Sequence, residues 1–360
     1  MNASSSENVM FQWQMTETDK EFSLVQVQLP QAAPGQAVVQ ISGCGVCHTD
    51  LSFWHYGVQT KHTLPLTLGH EISGVVVAGD PEWIGKNVIV PAVLPCGECD
   101  LCENGRSNIC RNQTMPGNDF HGGFASHIIV PSRFLCAVPD SVLARFPLSH
   151  LAVIADAIST PYQVVAKSEL RAGDLAIVIG VGGVGIYAAL IARILGAKVL
   201  ALDISDAKLQ IAKDNGIEAT LNTADMDIKA VKDNVKTIAR GLGVPQTGWK
   251  IFEMSGTKAG QELGFNLLTF ASTMSVVGFT MDKADVRLSN LMAFDAKLIG
   301  TWGCRAELYP EVLNLIETGK LNIAPFVETK PMSEINDVFR NSLQHLYTKR
   351  IVLVPDFNNN

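Results

Sequence analysis

The sequence predicts an α/β chain of two domains, a turn-rich and mostly β segment forming a partly open barrel, and a doubly wound parallel sheet flanked by helices. Three observations carry this expectation. The 360 residues are 47% hydrophobic and 18% charged, enough apolar material for more than one core. Residues 11–152 alternate short β-branched runs with turn signals. From about 158 to 298 the period changes, and apolar strands alternate with amphipathic helices as parallel α/β units require.

In the first segment Pro34-Gly35, Gly43, Gly69, Gly79-Asp80, Pro95 and Gly122-Gly123 punctuate runs such as 38–41, 74–78 and 87–90, which read as barrel strands. In the second, 176–179 reads as the first strand, 185–195 as a helix, 198–202 as a strand and 206–215 as a helix, with 251–254 and 273–277 as later strands. A helix-like stretch near 311–318 and a closing strand at 351–354 follow, and residues 357–360 read as a frayed tail. The chain shows no internal repeat or low-complexity domain.

The net charge of -7 argues against a partner that needs a broad cationic surface, so no nucleic acid is expected. Residues 1–15 carry neither a basic n-region nor an apolar h-region, so a reducing cytoplasm is the expected location. Residues 175–192 hold no charge and approach the length of a short membrane span, but Gly180, Gly182, Gly183 and Gly185 would weaken a continuous helix there. No membrane partner is expected.

Six of the eight cysteines fall between positions 44 and 110, a clustering that suits metal sites better than a disulfide framework. Cys96, Cys99, Cys102 and Cys110 follow one another at spacings of three, three and eight residues. Four thiolates close a tetrahedral zinc shell, which stabilises a loop without reacting. An iron-sulfur cluster is the rival occupant, and free buried cysteines are the ordinary alternative.

A second group is Gly43-Cys44-Gly-Val-Cys47-His48-Thr49-Asp50, with Gly69-His70-Glu71 beyond it. Cys47 and His70 supply two ligand types for a catalytic zinc, which needs a third ligand and an open position. Spacing alone does not choose the third. Cys44 and Cys47 also spell a redox C-x-x-C, though the βαβ context of a thioredoxin-like pair is not evident. A hydrogen-bonded core histidine is the ordinary reading of His70 taken alone.

The third group is Gly180, Gly182, Gly183, Val184 and Gly185, set between an apolar strand and a helix start. There a pyrophosphate meets backbone N–H groups and a helix N-terminus with no side chain in the way. Asp203 ends the next strand, 18 residues after Gly185, where a carboxylate accepts from the hydroxyls of an adenosine ribose and favours NAD over NADP. Glycines that merely pack helix on sheet are the alternative.

These three groups in this order resemble the zinc-containing medium-chain alcohol dehydrogenase family, over residues 11–355. The resemblance implies a GroES-like partly open barrel carrying catalysis (1–156 and 299–360) and a Rossmann NAD-binding domain (157–298). It implies two zinc ions per subunit, one catalytic on Cys47, His70 and a third ligand, and one structural on Cys96, Cys99, Cys102 and Cys110. Glu71 matches the acid that neighbours or transiently enters the catalytic shell, and Thr49 the hydroxyl on the substrate oxygen, with Asp50 orienting ligands. Many members have cysteine where this chain has Asp156. A carboxylate still completes a zinc shell and leaves the metal harder, while a capping acid is the plainer reading of that residue.

A relay histidine found in some members is replaced here by Leu51 and Ser52, so the proton's route runs through Thr49, the cofactor ribose and Ser52, or through His48 or His55. The resemblance also places Thr160 near the nicotinamide, Val277 and Gly278 along its carboxamide, Lys208 beside the adenosine ribose and Arg350 near the pyrophosphate. For Lys208 and Arg350 a solvated surface charge is the alternative. A homo-oligomer, dimer or tetramer, joined at sheet edges of the cofactor domain is implied as well.

More narrowly, residues 43–51, 64–77, 118–128 and the segment around Asp156 are similar to 6-hydroxycyclohex-1-ene-1-carbonyl-CoA dehydrogenases of anaerobic aromatic-acid degradation. That likeness implies a small-molecule substrate carried as a coenzyme A thioester, an allylic cyclic alcohol, and reduction of conjugated C=C bonds as a further activity. Nothing in composition or spacing reveals a thioester site. A general secondary-alcohol or polyol dehydrogenase is the competing enzyme, and an NAD-binding structural or redox-responsive protein the competing class.

Overall fold

The structure is a computed structural model in which residues 9–357 are described, so residues 1–8 of the N-terminal stretch and 358–360 of the tail lie outside it. The chain divides into two compact units, one running to Ser159 and resuming at Gly303, the other spanning Thr160–Trp302. In chain order the strands are β1 (Val9–Gln14), β2 (Ser23–Gln28), β3 (Gln36–Gly45), β4 (Glu71–Gly79), β5 (Asn87–Val90), β6 (His127–Pro131) and β7 (Cys136–Ala137). Then come β8 (Leu175–Ile179), β9 (Lys198–Asp203), β10 (Ala219–Asn222), β11 (Lys250–Glu253), β12 (Thr273–Val276), β13 (Lys297–Gly300), β14 (Val327–Pro331) and β15 (Arg350–Val354).

The first unit is the GroES-like, partly open barrel. Its main sheet runs β14-β15-β3-β4-β5-β7, and β6 also pairs with β3. Alternating side chains of these strands, among them Ile72, Val88, Val130 and Leu353, meet Leu66 and Phe124 in one core. The closing strand β15 pairs antiparallel with β3, setting Leu353 opposite Cys44. The expected frayed tail needs one correction. Phe357 stacks on Phe11 with ring centroids 5.3 Å apart, because an aromatic face gains more from burial than from chain freedom.

The second unit is a Rossmann sheet in the order β10-β9-β8-β11-β12-β13, all parallel, so its strands read three, two, one, four, five, six. Strand β8 is buried throughout, as a central parallel strand must be, which explains its unbroken apolar run. The charge-free stretch from residue 175 is therefore a strand, a glycine turn and the helix Gly185–Ile194. Among the described residues no helix is long and apolar enough to cross a membrane. Met254 and Val277, expected at strand ends, lie one residue beyond β11 and β12. Register aligns Ile179 with both Leu202 and Glu253, which brings the carboxyl ends of β8, β9 and β11 to one edge at the point where strand order reverses.

Candidate active site

The four-cysteine lobe is built locally. A turn, the short helix Asp100–Glu103 and the 3-10 turn Ser107–Ile109 bring Cys96, Cys99, Cys102 and Cys110 together. Sulfur separations are 3.6 Å for Cys99–Cys102, 3.7 Å for Cys99–Cys110 and 3.4 Å for Cys110–Cys96. Disulfides need about 2.05 Å, whereas ligands on a tetrahedral zinc stand about 3.3–3.8 Å apart. The backbone N–H of Cys102 leads the donors that pull the Cys99 thiol down to about 6, a bias toward the thiolate that a metal takes.

The second cluster is assembled across the chain. Cys47 caps the helix His48–Trp54, His70 and Glu71 stand at the entrance to β4, and Asp156 follows the 3-10 run Leu148–Ala155. Donor atoms of all four lie within 4.8 Å of one another. Asp156 Oδ2 is 3.8 Å from Cys47 Sγ and 3.8 Å from His70 Nε2, spacings that again suit the edges of a zinc tetrahedron. Thr49 Oγ1 lies 3.7 Å from Cys47 Sγ. Cys47, His70 and Glu71 are buried, while the Asp156 side chain keeps 18% exposure and so borders solvent.

Acidic groups crowd round His70. Burial works against the His70 imidazolium, yet Asp50, Cys47 and Asp156 together outweigh it and raise the His70 pKa well above its ordinary value. Three of these donors, the Cys47 sulfur, the His70 imidazole and an Asp156 oxygen, fit a divalent ion and leave a fourth tetrahedral position for an oxygen ligand. Asp50 sets the frame. Its Oδ2 accepts from Cys47 N at 2.9 Å and its Oδ1 from Gly69 N at 3.1 Å, and Oδ1 also faces His70 Nδ1 at 3.3 Å, out of line for a good hydrogen bond.

Glu71, within 4.8 Å of the other three donors, has a cation of its own. Both of its carboxylate oxygens receive the Arg350 guanidinium, at 3.1 Å from Nε to Oε2 and by a shorter contact from Nη2 to Oε1. Arg350, expected near a pyrophosphate, therefore has a fixed partner inside this cluster, and it is a buried side chain rather than a solvated surface charge. Nothing in the sequence signalled that pair, whose members are 279 residues apart. Cys44 takes no part with Cys47. Its thiol packs on Gly69 and Gly123, and burial first, then Asp50, pushes its pKa well above the usual value.

Other expected relay groups are also placed. The Ser52 hydroxyl donates to His48 O at 3.0 Å, His55 Nδ1 pairs with Asp19 Oδ1 at 2.7 Å, and the His48 ring is exposed, 6.3 Å from that of Tyr56. A further residue supports Asp156 from behind. Tyr309, fully buried, accepts from Ala92 N at 3.3 Å and donates to the carbonyl of Ala155, which the Ser159 hydroxyl also reaches at 3.1 Å.

In the Rossmann unit, Gly180 has φ +82° and a Cβ there would stand 2.8 Å from Ser255 Cα. At Gly185 a Cβ would fall 1.8 Å from Gly180 O, so both positions exclude side chains. Val184 precedes the helix Gly185–Ile194, whose first N–H groups have no side-chain cap, while Gly182 faces Lys208 Nζ and Gly183 is half-buried. Asp203 Oδ2 accepts from Val181 N at 2.8 Å and its Oδ1 from Ser205 N at 3.0 Å, fixing the carboxylate beside the glycine loop with lone pairs to spare. Val277 N and Gly278 N both donate to Glu253 O at 3.1 Å, and Thr160 is buried in the first turn of the helix Ser159–Lys167. A strand, glycine loop, helix and strand-end acid in this arrangement fit a dinucleotide.

Known proteins carry the same two parts. Residues 33–140 match the alcohol dehydrogenase GroES-like domain and residues 183–318 the zinc-binding dehydrogenase domain. An alcohol dehydrogenase of Geobacillus stearothermophilus is 30% identical over 351 residues, covering 94% of this chain and 97% of its own. This chain belongs to the zinc-containing medium-chain alcohol dehydrogenase family. The dehydrogenase is also 27% identical to a 2-dehydro-3-deoxy-L-galactonate 5-dehydrogenase of Pseudoalteromonas atlantica, over 90% of this chain and 92% of that one. Among solved structures it superposes with a TM-score of 0.85 on acetophenone reductase from Geotrichum candidum in complex with NAD, at 23% identity, covering 99% and 100% of the two chains. It is a zinc-dependent alcohol dehydrogenase, an oxidoreductase of alcohol or polyol type.

Proposed function

We propose that this dehydrogenase exchanges hydride between NAD and a cyclic, allylic secondary alcohol or its conjugated ketone, with 6-hydroxycyclohex-1-ene-1-carbonyl-CoA as the substrate. The observation that carries the chemistry is the Cys47, His70 and Asp156 donor set, gathered around one point with an oxygen in place of a sulfur. The substrate rests on the likeness of residues 43–51, 64–77 and 118–128 and of the Asp156 segment to that enzyme group. A homo-oligomer in the cytoplasm belongs to the same reading.

Zinc bound by these three residues supplies Lewis acidity that makes an alcohol proton labile near neutral pH. Thr49 would accept the alcohol's hydrogen bond and relay the proton, giving up its own hydroxyl proton as it takes the substrate's, outward through the cofactor ribose and Ser52 or through His48 or His55 to solvent. Asp50 holds Cys47 and His70 in place, and Arg350 keeps Glu71 from competing for the open position. Asp203 favours the unphosphorylated ribose, which is the reason for NAD rather than NADP. A conjugated ketone offers its β-carbon as a second acceptor for hydride, so reduction of C=C in cyclic 2-enones is included.

A second reading, a general secondary-alcohol or polyol dehydrogenase, is supported by the 27% identical sugar-acid relative. Initial rates with NAD and NADP against free and coenzyme A-linked hydroxycyclohexenes and a set of aliphatic alcohols and polyols separate the two. The proposal expects the thioester to give the highest kcat/KM, and equal or better rates with a polyol overturn it. Product analysis with cyclic 2-enones and NADH tests C=C reduction, and allylic alcohol alone counts against it. NADH binding without turnover of any alcohol would favour a non-catalytic protein.

A further inference from the structure

Glu253, at the carboxyl end of β11, is buried without any exposed surface. Its Oε1 accepts from Ser255 N at 2.8 Å, from Gly256 N at 3.2 Å and from the Ser255 hydroxyl at 2.5 Å. Its Oε2 is buried with no hydrogen-bond partner among the described residues, and it lies 2.9 Å from where a Cβ on Gly278 would stand. The main-chain oxygen of the same residue takes the N–H groups of Val277 and Gly278. One residue therefore grips two loops, 255–256 after β11 and 277–278 after β12. Gly278 must lack a side chain, because a Cβ there would fall 2.1 Å from Gly256 N.

In a sheet of this order, one mononucleotide half of a dinucleotide lies over the ends of the first three strands and the other over the last three. Asp203 ends β9 and marks the adenosine half, so the loops held by Glu253 border the nicotinamide half. An unpaired oxygen in such a place is costly unless the group does something there. Among the described residues no cation pairs with Glu253, and burial outweighs the Ser255 and Gly256 donors to raise its pKa.

We propose that Glu253 is a positioning residue for the nicotinamide half of the dinucleotide, acting through hydrogen bonds and packing on the 255–256 and 277–278 loops. The inference rests on the NAD reading above.

Dissociation constants for NADH, from its fluorescence, and for ADP-ribose, from displacement of NADH, test it on the full zinc-loaded chain. Glu253→Ala should weaken NADH about tenfold, or about 1.4 kcal/mol, and leave ADP-ribose within about twofold. Glu253→Gln keeps the acceptor and the shape and should hold both constants within about threefold of the parent. Equal loss of NADH and ADP-ribose in Glu253→Ala, or a Gln variant as weak as the Ala variant, overturns the proposal. Should Glu253→Ala fail to fold, Ser255→Ala removes the hydroxyl that donates to Glu253 Oε1 and bonds Thr257, and should weaken NADH about threefold with ADP-ribose unchanged; an unaltered NADH constant there also overturns it. A parent chain that binds no NADH sinks the NAD reading instead.

Discussion

The cysteine lobe and the Cys47, His70 and Asp156 cluster sit in the same unit, yet they are built in opposite ways. The lobe takes four like ligands from fifteen consecutive residues, 96–110, and its shell closes on itself. The other cluster takes three unlike ligands from the cap of a helix, the entrance to a strand and the end of a 3-10 run, and each is held by something else: Asp50 for two of them, the Tyr309 and Ser159 hydroxyls behind the third. A centre that must keep a position open has to borrow rigidity from its surroundings, whereas a closed one supplies its own. Removing pieces of each should show that difference.

The largest contrast is expected from Cys47→Ala. Turnover should fall about a thousandfold or more, equivalent to about 4 kcal/mol of transition-state stabilisation. Elemental analysis should show the zinc content drop from about two ions per chain to about one. Normal rates in that variant would mean that the reaction happens elsewhere. Asp50→Asn, which keeps the shape and loses the charge, should weaken metal at the open centre by about 10–100-fold while leaving the lobe loaded. Chelator competition followed over time separates the two populations.

Cys110→Ser turns the comparison round. It should lower stability by about 2 kcal/mol or more, seen as a drop of about 4–8 °C in the thermal midpoint, with kcat at room temperature nearly unchanged. A matching collapse of kcat would show that the lobe is not purely structural. The smallest effect belongs to Tyr309→Phe. Losing one buried hydroxyl should cost about 1 kcal/mol in chemical denaturation, and the weakened metal should be that of Asp156, not of the lobe.

The same contrast explains what could be read from the chain. Local devices were legible: the cysteine spacing, the glycine turn after β8 and the acid ending β9 each announce a geometry that a few neighbouring residues complete. Element positions followed from periodicity, with ends displaced by a residue where register decided, as at Met254 and Val277. Asp156 became visible only through family resemblance, since nothing within a few residues of it states that Cys47 and His70 are near. The Arg350 and Glu71 pair was not legible at all, because a contact spanning 279 residues is made by sheet topology and leaves no trace in local pattern. Glu253 carried a faint signal, an apolar strand ending in an acid just as β9 ends in Asp203, though its neighbours gave no sign of which loops it would hold.

The pairing of β15 with β3 has a consequence for how the protein is made. On the ribosome the strand neighbour of residues 44–45, and the guanidinium that pairs with Glu71, emerge only after the whole of Thr160–Trp302 has had time to fold. Chains truncated shortly before residue 350 should therefore yield a nascent Rossmann unit that is already protease-resistant, beside an N-terminal portion still waiting for its final strand.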